Sequence, residues 1–414
     1  MPSPTQPLTI LVAPLNWGLG HATRCIPIIQ ELQARGCQVI VASDGASRAL
    51  LVEEFPKLTH ISSPHTEIRY SKSPRWFGWA MLKLIPRFWL QIKREQRWIR
   101  SIVSAFRIQA IIADNRYGMA HPDIPSVIIT HQLDIQTGYG TAADRLIQRI
   151  TYRYINRYRA VWVPDLKDEP SLAGALSHPI KSPIIPVAYL GMLNRFARST
   201  HKVPSNTGGL SSARQLSTVA EATKSDSGAA LTENRPILVL LSGPEPQRTL
   251  LEKLILKEAA SFKGSLIILK GLPASSATTD TASVDQQHLQ ELYGLNQVRQ
   301  FDHLGAAELQ ALLPSVEYII CRSGYTTLME MIPLQKKLLL IPTPGQPEQL
   351  YLAVHADQQH YAPFWKQDKF SLVAALEEAS RYSYHFPKAF NKDHLSAVIA
   401  ALVDQLNDDT VHSA

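Results

Sequence analysis

The sequence predicts an α/β protein built as two doubly wound domains facing one another across a cleft. Two glycine turns of the same layout carry that expectation: Gly18-Leu19-Gly20-His21 after the apolar run Leu8 to Leu15, and Arg322-Ser323-Gly324-Tyr325-Thr326-Thr327 after Tyr318 to Cys321. Each reads as strand, small-residue turn, helix, which sets free backbone N–H groups and a helix's positive end at the mouth of a parallel sheet. The second observation is that strand and helix patterns alternate in two stretches, separated by a Ser, Thr, Ala and Gly tract. The third is length: 414 residues, 45% of them hydrophobic, can fill two cores of ordinary size.

The elements follow in order. Leu8 to Leu15 is short and leads straight into a turn, so it reads as a first strand and not as a signal peptide. Ala22, Cys25, Ile26, Ile29 and Leu32 recur at helical spacing, and Gly36 stops that helix before a strand at Gln38 to Ala42. This is a βαβ unit and implies a parallel sheet. Further strands are expected at Ala110 to Ala113, Ser126 to Thr130 and Ala160 to Val163, each ending in polar residues. The N-terminal domain is placed at 1–198. Residues 199–234 show no apolar period and read as a disordered linker or insertion. A second domain at 235–385 contains strands at Ile237 to Leu241, Leu266 to Leu269, Tyr318 to Cys321 and Leu338 to Ile341. The tail, 386–414, holds an amphipathic segment from about His394 to Leu406 that could cross back to the first domain.

Composition narrows the chemistry. No apolar run approaches the roughly 18–20 residues of a membrane span. Cys25, Cys37 and Cys321 have neither metal spacing nor an even count, which points to a reducing cytoplasm and no metal site. The net charge of +7 is concentrated: from Arg69 to Arg107 ten Lys or Arg residues stand against the single acid Glu95, interleaved with Trp76, Phe77, Trp79, Phe88, Trp89, Trp98 and Phe106. Arg145, Arg149, Arg153, Arg157 and Arg159 add a second basic run.

The turns supply the candidate reactive groups. Gly18 and Gly20 let the backbone approach a ligand closely. His21 starts the following helix, whose positive end favours neutral imidazole, a form suited to general-base work; the alternative is a histidine that caps the turn. Asp114 ends a strand expected next to the first, close enough to orient His21, or else it caps the next helix. His131 and Asp134 follow the next strand as weaker acceptor-side candidates. In the second domain Ser323 and Gly324 offer N–H groups to a diphosphate, with Thr326 and Thr327 in the first helical turn. Glu330 lies seven residues past Ser323, about 10 Å of rise, a reach comparable with that from a diphosphate to a ribose diol. Gly243 and Arg248 follow that domain's first strand, where a further phosphate contact is expected. Glu348 and Gln349 present an acid and an amide suited to sugar hydroxyls.

These residues resemble the glycosyltransferases of the GT-B fold, with two Rossmann-like domains, and especially the family 28 group. That group includes the peptidoglycan N-acetylglucosaminyltransferase and the galactolipid synthases. The resemblance spans nearly the whole chain outside the Ser/Thr-rich insertion and is most specific from Arg322 to Ala353. It implies that Arg322, Ser323, Gly324, Thr327 and Glu330 hold the nucleotide diphosphate and ribose, and that Gln349, before Ala353, reads the donor sugar. It also implies an acceptor and catalytic side at Gly18, Gly20 and His21. The family's glycine-rich loop is reduced here to Ser242-Gly243-Pro244-Glu245-Pro246, with Arg248 following.

The expected activity is inverting hexosyl transfer from a nucleotide-sugar, taken as a UDP-sugar, to an acceptor hydroxyl that could be lipid-linked. The nucleotide-sugar is a co-substrate, and no resident cofactor, metal or nucleic-acid partner is expected. Trp76, Ala80, Leu84, Phe88 and Ile92 can form one apolar stripe among Lys83, Arg87, Gln91 and Arg94, suited to an anionic bilayer or to a core helix with snorkelling cations. Two other readings stay open. Gly18 to Cys25, with His21, Arg24 and Cys25, also resembles the glycine-histidine-x-x-arginine-cysteine turn of the UDP-sugar hydrolases of nonulosonic acid synthesis, in which His21 would activate water; or the protein binds a nucleotide-sugar without turning it over.

Overall fold

The computed structural model describes residues 7–64, 77–196, 235–243, 245–272, 298–391 and 394–413. The expected disordered tract at 199–234 lies outside the described residues, as do Trp76 and every side chain from 77 to 85. The chain divides into two compact units, one of residues 1–194 and 387–414, the other of residues 195–386.

The first unit is a seven-stranded sheet. Its strands are β1 (Thr9–Pro14), β2 (Gln38–Ser43), β3 (Thr59–Ser62), β4 (Ala110–Asp114), β5 (Ser126–Ile129), β6 (Ala160–Val163) and β7 (Val187–Tyr189), in the order β3-β2-β1-β4-β5-β6-β7. Every pairing is parallel. Helices α1 (Leu19–Ala34), α2 (Gly45–Glu54), α3 (Phe77–Phe106) and α4 (Thr141–Ile155) connect them. Strand order reverses between β1 and β4, so neighbouring connections leave to opposite sides and open a crevice beyond the strand ends. All six residues of β1 and all five of β4 are buried, as expected for central parallel strands.

The second unit repeats the layout with five parallel strands, in the order β10-β9-β8-β11-β12. These are β8 (Ile237–Leu240), β9 (Leu266–Leu269), β10 (Val298–Phe301), β11 (Tyr318–Cys321) and β12 (Lys337–Leu340). Its helices are α5 (Gln247–Ala259), α6 (Ala306–Leu312), α7 (Tyr325–Met331), α8 (Pro347–Gln358) and α9 (Leu372–Arg381). The reversal here falls between β8 and β11. Val239, Ile268, Ile320 and Leu339 form the centre of one core layer against Leu251, Ile255 and Leu372.

The last helix, α10 (Leu395–Ser413), returns to the first unit and packs on α1. Leu395, Ile399, Leu402, Val403 and Leu406 are buried, an i, i+4, i+7, i+8, i+11 pattern that draws one stripe along the helix. Arg35, just past the end of α1, donates to the Ser396 carbonyl at 2.9 Å, and Ser396 Oγ donates to Glu31 at 2.7 Å.

Helix α3 corrects the expected apolar stripe. Phe88, Trp89 and Leu90 are each nearly half exposed, whereas Ile92 is buried with Glu95 and Ile99. Four residues turn a helix by about 400°, so Phe88 and Ile92 are offset by about 40°, enough to divide them between solvent and core. Glu95 is the chief surprise. It accepts hydrogen bonds from Arg116 Nε and the Gly118 N–H, both at 3.0 Å, and so ties α3 to the loop after β4.

Candidate active site

The first cluster forms at the reversal point of the seven-stranded sheet. Pro14 at the end of β1 pairs with Asp114 at the end of β4, so the residues that follow each strand emerge side by side. Gly18, with φ +85°, turns the chain into α1, and its left-handed backbone is strained for any other residue. Gly20 lies in the first turn of α1, where its carbonyl accepts a hydrogen bond from Thr23 Oγ1 at 3.0 Å.

His21 therefore stands over Asp114, with Nδ1 at 3.1 Å from Oδ2. Arg24, one helical turn further along α1, grips the same carboxylate: Nε donates to Oδ2 at 2.7 Å and Nη2 donates to Oδ1. Arg24 and Asp114 are fully enclosed, while the His21 side chain keeps 15% exposure. His131, buried after β5, places Nδ1 at 3.4 Å from Arg24 Nη1. Asp134 stands apart from this cluster; its carboxylate meets Gln148 at 3.4 Å.

The electrostatics follow from this packing. Burial and then the Arg24 charge hold the His21 pKa below its ordinary 6.5, against the opposing pull of Asp114. Burial alone would raise the Asp114 carboxyl, but Arg24 and His21 outweigh it and hold it below 3.8. At neutral pH the cluster is thus an ionised carboxylate, a guanidinium and a neutral imidazole. His21 Nε2 has no hydrogen-bond partner among the described residues. A neutral ring with one exposed, unpaired nitrogen and an anion on the other can take a proton from a hydroxyl.

The second cluster forms at the reversal point of the five-stranded sheet. Gly243, with φ +95°, turns the chain after β8. Ser323 and Gly324 follow β11, and α7 begins at once at Tyr325, so Thr327 lies in its first turn. Three buried polar atoms at these strand ends lack a partner among the described residues: Arg322 Nε, Gln247 Oε1 and Thr343 Oγ1. Unmet groups of this kind at a sheet's reversal point are what a polar ligand would satisfy.

Several of the expected donor-side residues also hold the loops of this unit together. Arg322 is enclosed and donates to the main-chain carbonyls of Ile341 at 3.1 Å, Pro342 at 3.4 Å and Gln247 at 2.8 Å. Its guanidinium ties three loops together, and burial lowers its pKa to about 10. Arg248 is surrounded by Glu245, 2.8 Å from its Nε, and Glu252, 3.2 Å from Nη1, so its charge is already balanced within the protein. Ser323 Oγ donates to the Gln349 carbonyl at 2.7 Å, and Gln349 Oε1 accepts the Thr343 N–H at 2.8 Å. These four side chains therefore shape the loops.

Glu330 is buried in α7 with its carboxylate 2.9 Å from Arg195 Nε, an ion pair whose N–H does not point at the oxygen. Burial raises the Glu330 pKa, and Arg195 only partly offsets it. Glu348 stands in the first turn of α8. Arg24 is the arginine of the glycine-histidine-x-x-arginine-cysteine resemblance and lies three residues from His21 on one helix face, but its grip on Asp114 was not legible in the sequence, and neither was the pairing of Arg195 with Glu330.

Comparison with known proteins fits this geometry. Residues 276–401 match the glycosyltransferase family 28 C-terminal domain. The glycosyltransferase SnogD from Streptomyces nogalater superposes with a TM-score of 0.55 at 17% identity, covering 97% of this chain and 100% of that one. The spinosyn rhamnosyltransferase SpnG gives 0.57 at 16% identity, covering 95% and 100%. MurG from Acinetobacter baumannii gives 0.52 at 12% identity, covering 96% and 100%. No curated protein sequence matches the chain. The fold is GT-B, and with the family 28 domain it supports a glycosyltransferase.

Proposed function

We propose that the protein is an inverting glycosyltransferase that moves a hexosyl group from a nucleotide-sugar, a UDP-sugar on this reading, to an acceptor hydroxyl. The observation that carries it is the His21 ring set on Asp114 through Nδ1, with no described partner on Nε2. The acceptor hydroxyl gives its proton to Nε2 as its oxygen attacks the anomeric carbon. The bond from that carbon to the diphosphate oxygen breaks, and configuration inverts. Asp114 stabilises the imidazolium that forms.

The C-terminal unit binds the donor. N–H groups of the turns at Gly243 and at Ser323-Gly324, with the positive end of α7, meet the diphosphate, and Glu330 accepts from the ribose hydroxyls. Gln349 keeps its amide N–H groups for the sugar, and Glu348 stands beside it. The leaving group is stabilised by these dipoles without a resident metal; turnover unchanged by a chelator would support that.

The acceptor is lipid-linked and met at an anionic membrane surface on the cytoplasmic side. Exposed Phe88, Trp89 and Leu90, with Arg87, Arg94, Arg97 and Arg100 along α3, support this, because apolar rings and guanidinium groups together suit an interface rich in anionic lipid. Among the described residues no helix is long and apolar enough to cross a membrane.

The test offers UDP-, GDP- and dTDP-sugars to the full chain with and without membrane lipid extract. Lipid-dependent nucleotide release with sugar recovered on lipid is the expected result. Nucleotide release without lipid, yielding free sugar, would make the enzyme a hydrolase in which His21 activates water.

A further inference from the structure

We propose that Arg24 is a positioning residue that competes with Asp114 for Nδ1 of His21 and so sets which ring nitrogen carries the hydrogen. The inference rests on His21 as the base. Nδ1 lies 3.1 Å from Asp114 Oδ2 and 2.8 Å from Arg24 Nη2. A carboxylate only accepts and a guanidinium only donates. With hydrogen on Nδ1, the ring satisfies Asp114 but turns one N–H against another at Arg24. With hydrogen on Nε2, the ring accepts from Arg24 but sets its lone pair against the carboxylate. The first arrangement leaves Nε2 free to take a proton; the second does not. A histidine paired with aspartate alone has no such conflict.

Arg24 has no alternative position. It is almost fully buried, and its two-point grip on Asp114 fixes the plane of the guanidinium. Its remaining nitrogen, Nη1, reaches His131 Nδ1 at 3.4 Å. The other groups facing the cluster are Tyr117, whose phenol burial pushes up to about 12, and the Cys25 thiol, 4.0 Å from Asp114 Oδ2 and raised by burial. Neither is charged at neutral pH. Arg24 and Asp114 therefore cancel, and a proton on His21 adds a net positive charge to an enclosed site.

The experiment is nitrogen NMR of the full chain with labelled histidine, the His21 signals being assigned by their loss in His21→Ala. In Arg24→Gln the tautomer with hydrogen on Nδ1 should gain, and the titration midpoint should rise by about one pH unit. The acid limb of kcat/KM should move with it. In Arg24→Lys the retained charge should keep the midpoint low, while an ammonium held on the carboxylate leaves Nδ1 to Asp114 and the tautomer still shifts. An unchanged tautomer ratio in Arg24→Lys overturns the proposal, even if Arg24→Gln fails to fold. So does an unchanged midpoint in a folded Arg24→Gln. The NMR signals need no substrate, so a protein that transfers no sugar still tests Arg24, and an active enzyme with unmoved signals overturns this inference alone.

Discussion

At the residue scale the chemistry of the first cluster depends on charges packed into a small volume. Because burial and Arg24 hold the His21 pKa below 6.5, the ring stays neutral to a lower pH than an ordinary histidine does. The acid limb of kcat/KM should therefore lie below pH 6.5, and His21→Ala should abolish turnover while UDP affinity is retained. A limb at or above 6.5 would contradict the reading of the cluster. Glu330 is the residue proposed to hold the donor's ribose. Replacing it with Gln keeps volume but removes a charged acceptor worth about 1.5–3 kcal/mol, so UDP should bind roughly 10- to 150-fold more weakly by calorimetry. Unchanged affinity would sink the ribose assignment. Adjacency of His21 and Asp114 was legible because strand order in a βαβ sheet is predictable and both residues end or follow central strands. The loop contacts of Arg322 were not legible because a motif records which residue is present and not where its side chain points; only the packed loops show that three carbonyls claim it.

At the scale of elements, α3 shows how one helix answers two demands. Its inner face is fixed by contact with the loop after β4. A Cβ added at Gly118 would come within 2.5 Å of the Ile92 carbonyl oxygen and 2.7 Å of Glu95 Cβ, and backbone at that distance cannot yield cheaply. Gly118→Ala should destabilise the protein by about 1–3 kcal/mol, the usual cost of overpacking, visible as a lowered thermal midpoint. On its outer face Phe88 meets Tyr117 of the same loop edge-on at 5.6 Å, whereas Trp89 and Leu90 are nearly half exposed. Replacing Trp89 and Leu90 with Ser should leave the thermal midpoint nearly in place but release the protein from anionic vesicles in a sedimentation assay; vesicle binding that survives would reject the membrane surface. The basic and aromatic content of this helix was legible from sequence. Its rotation was not, because Glu95 reads as one acid in a basic run until Arg116 and Gly118 are seen to bind it. Strands β3, β7 and β10 were also missed: none is a fully buried four-residue apolar run of the kind that marks β9 and β11.

At the scale of the whole molecule, the first unit is assembled from both ends of the chain. Residues 387–414 belong to it although 192 residues of the other unit intervene in sequence, from Arg195 to Phe386. The contribution of α10 is large. Leu395, Ile399, Leu402, Val403 and Leu406 are buried in it, and each such side chain contributes about 1.5–3 kcal/mol. Together they match the net stability of a typical domain, about 5–15 kcal/mol. Loss of the helix would also expose the α1 surface that Arg35 and Glu31 anchor to Ser396, and α1 carries His21 and Arg24. A chain ending at residue 386 should therefore lose the unfolding transition of the first unit in calorimetry while the second unit still melts cooperatively and still binds UDP. Because binding is read from the second unit alone, the truncation separates assembly from donor recognition. If both transitions persist and turnover is kept, the C-terminal helix is dispensable and the first fold is complete at residue 194.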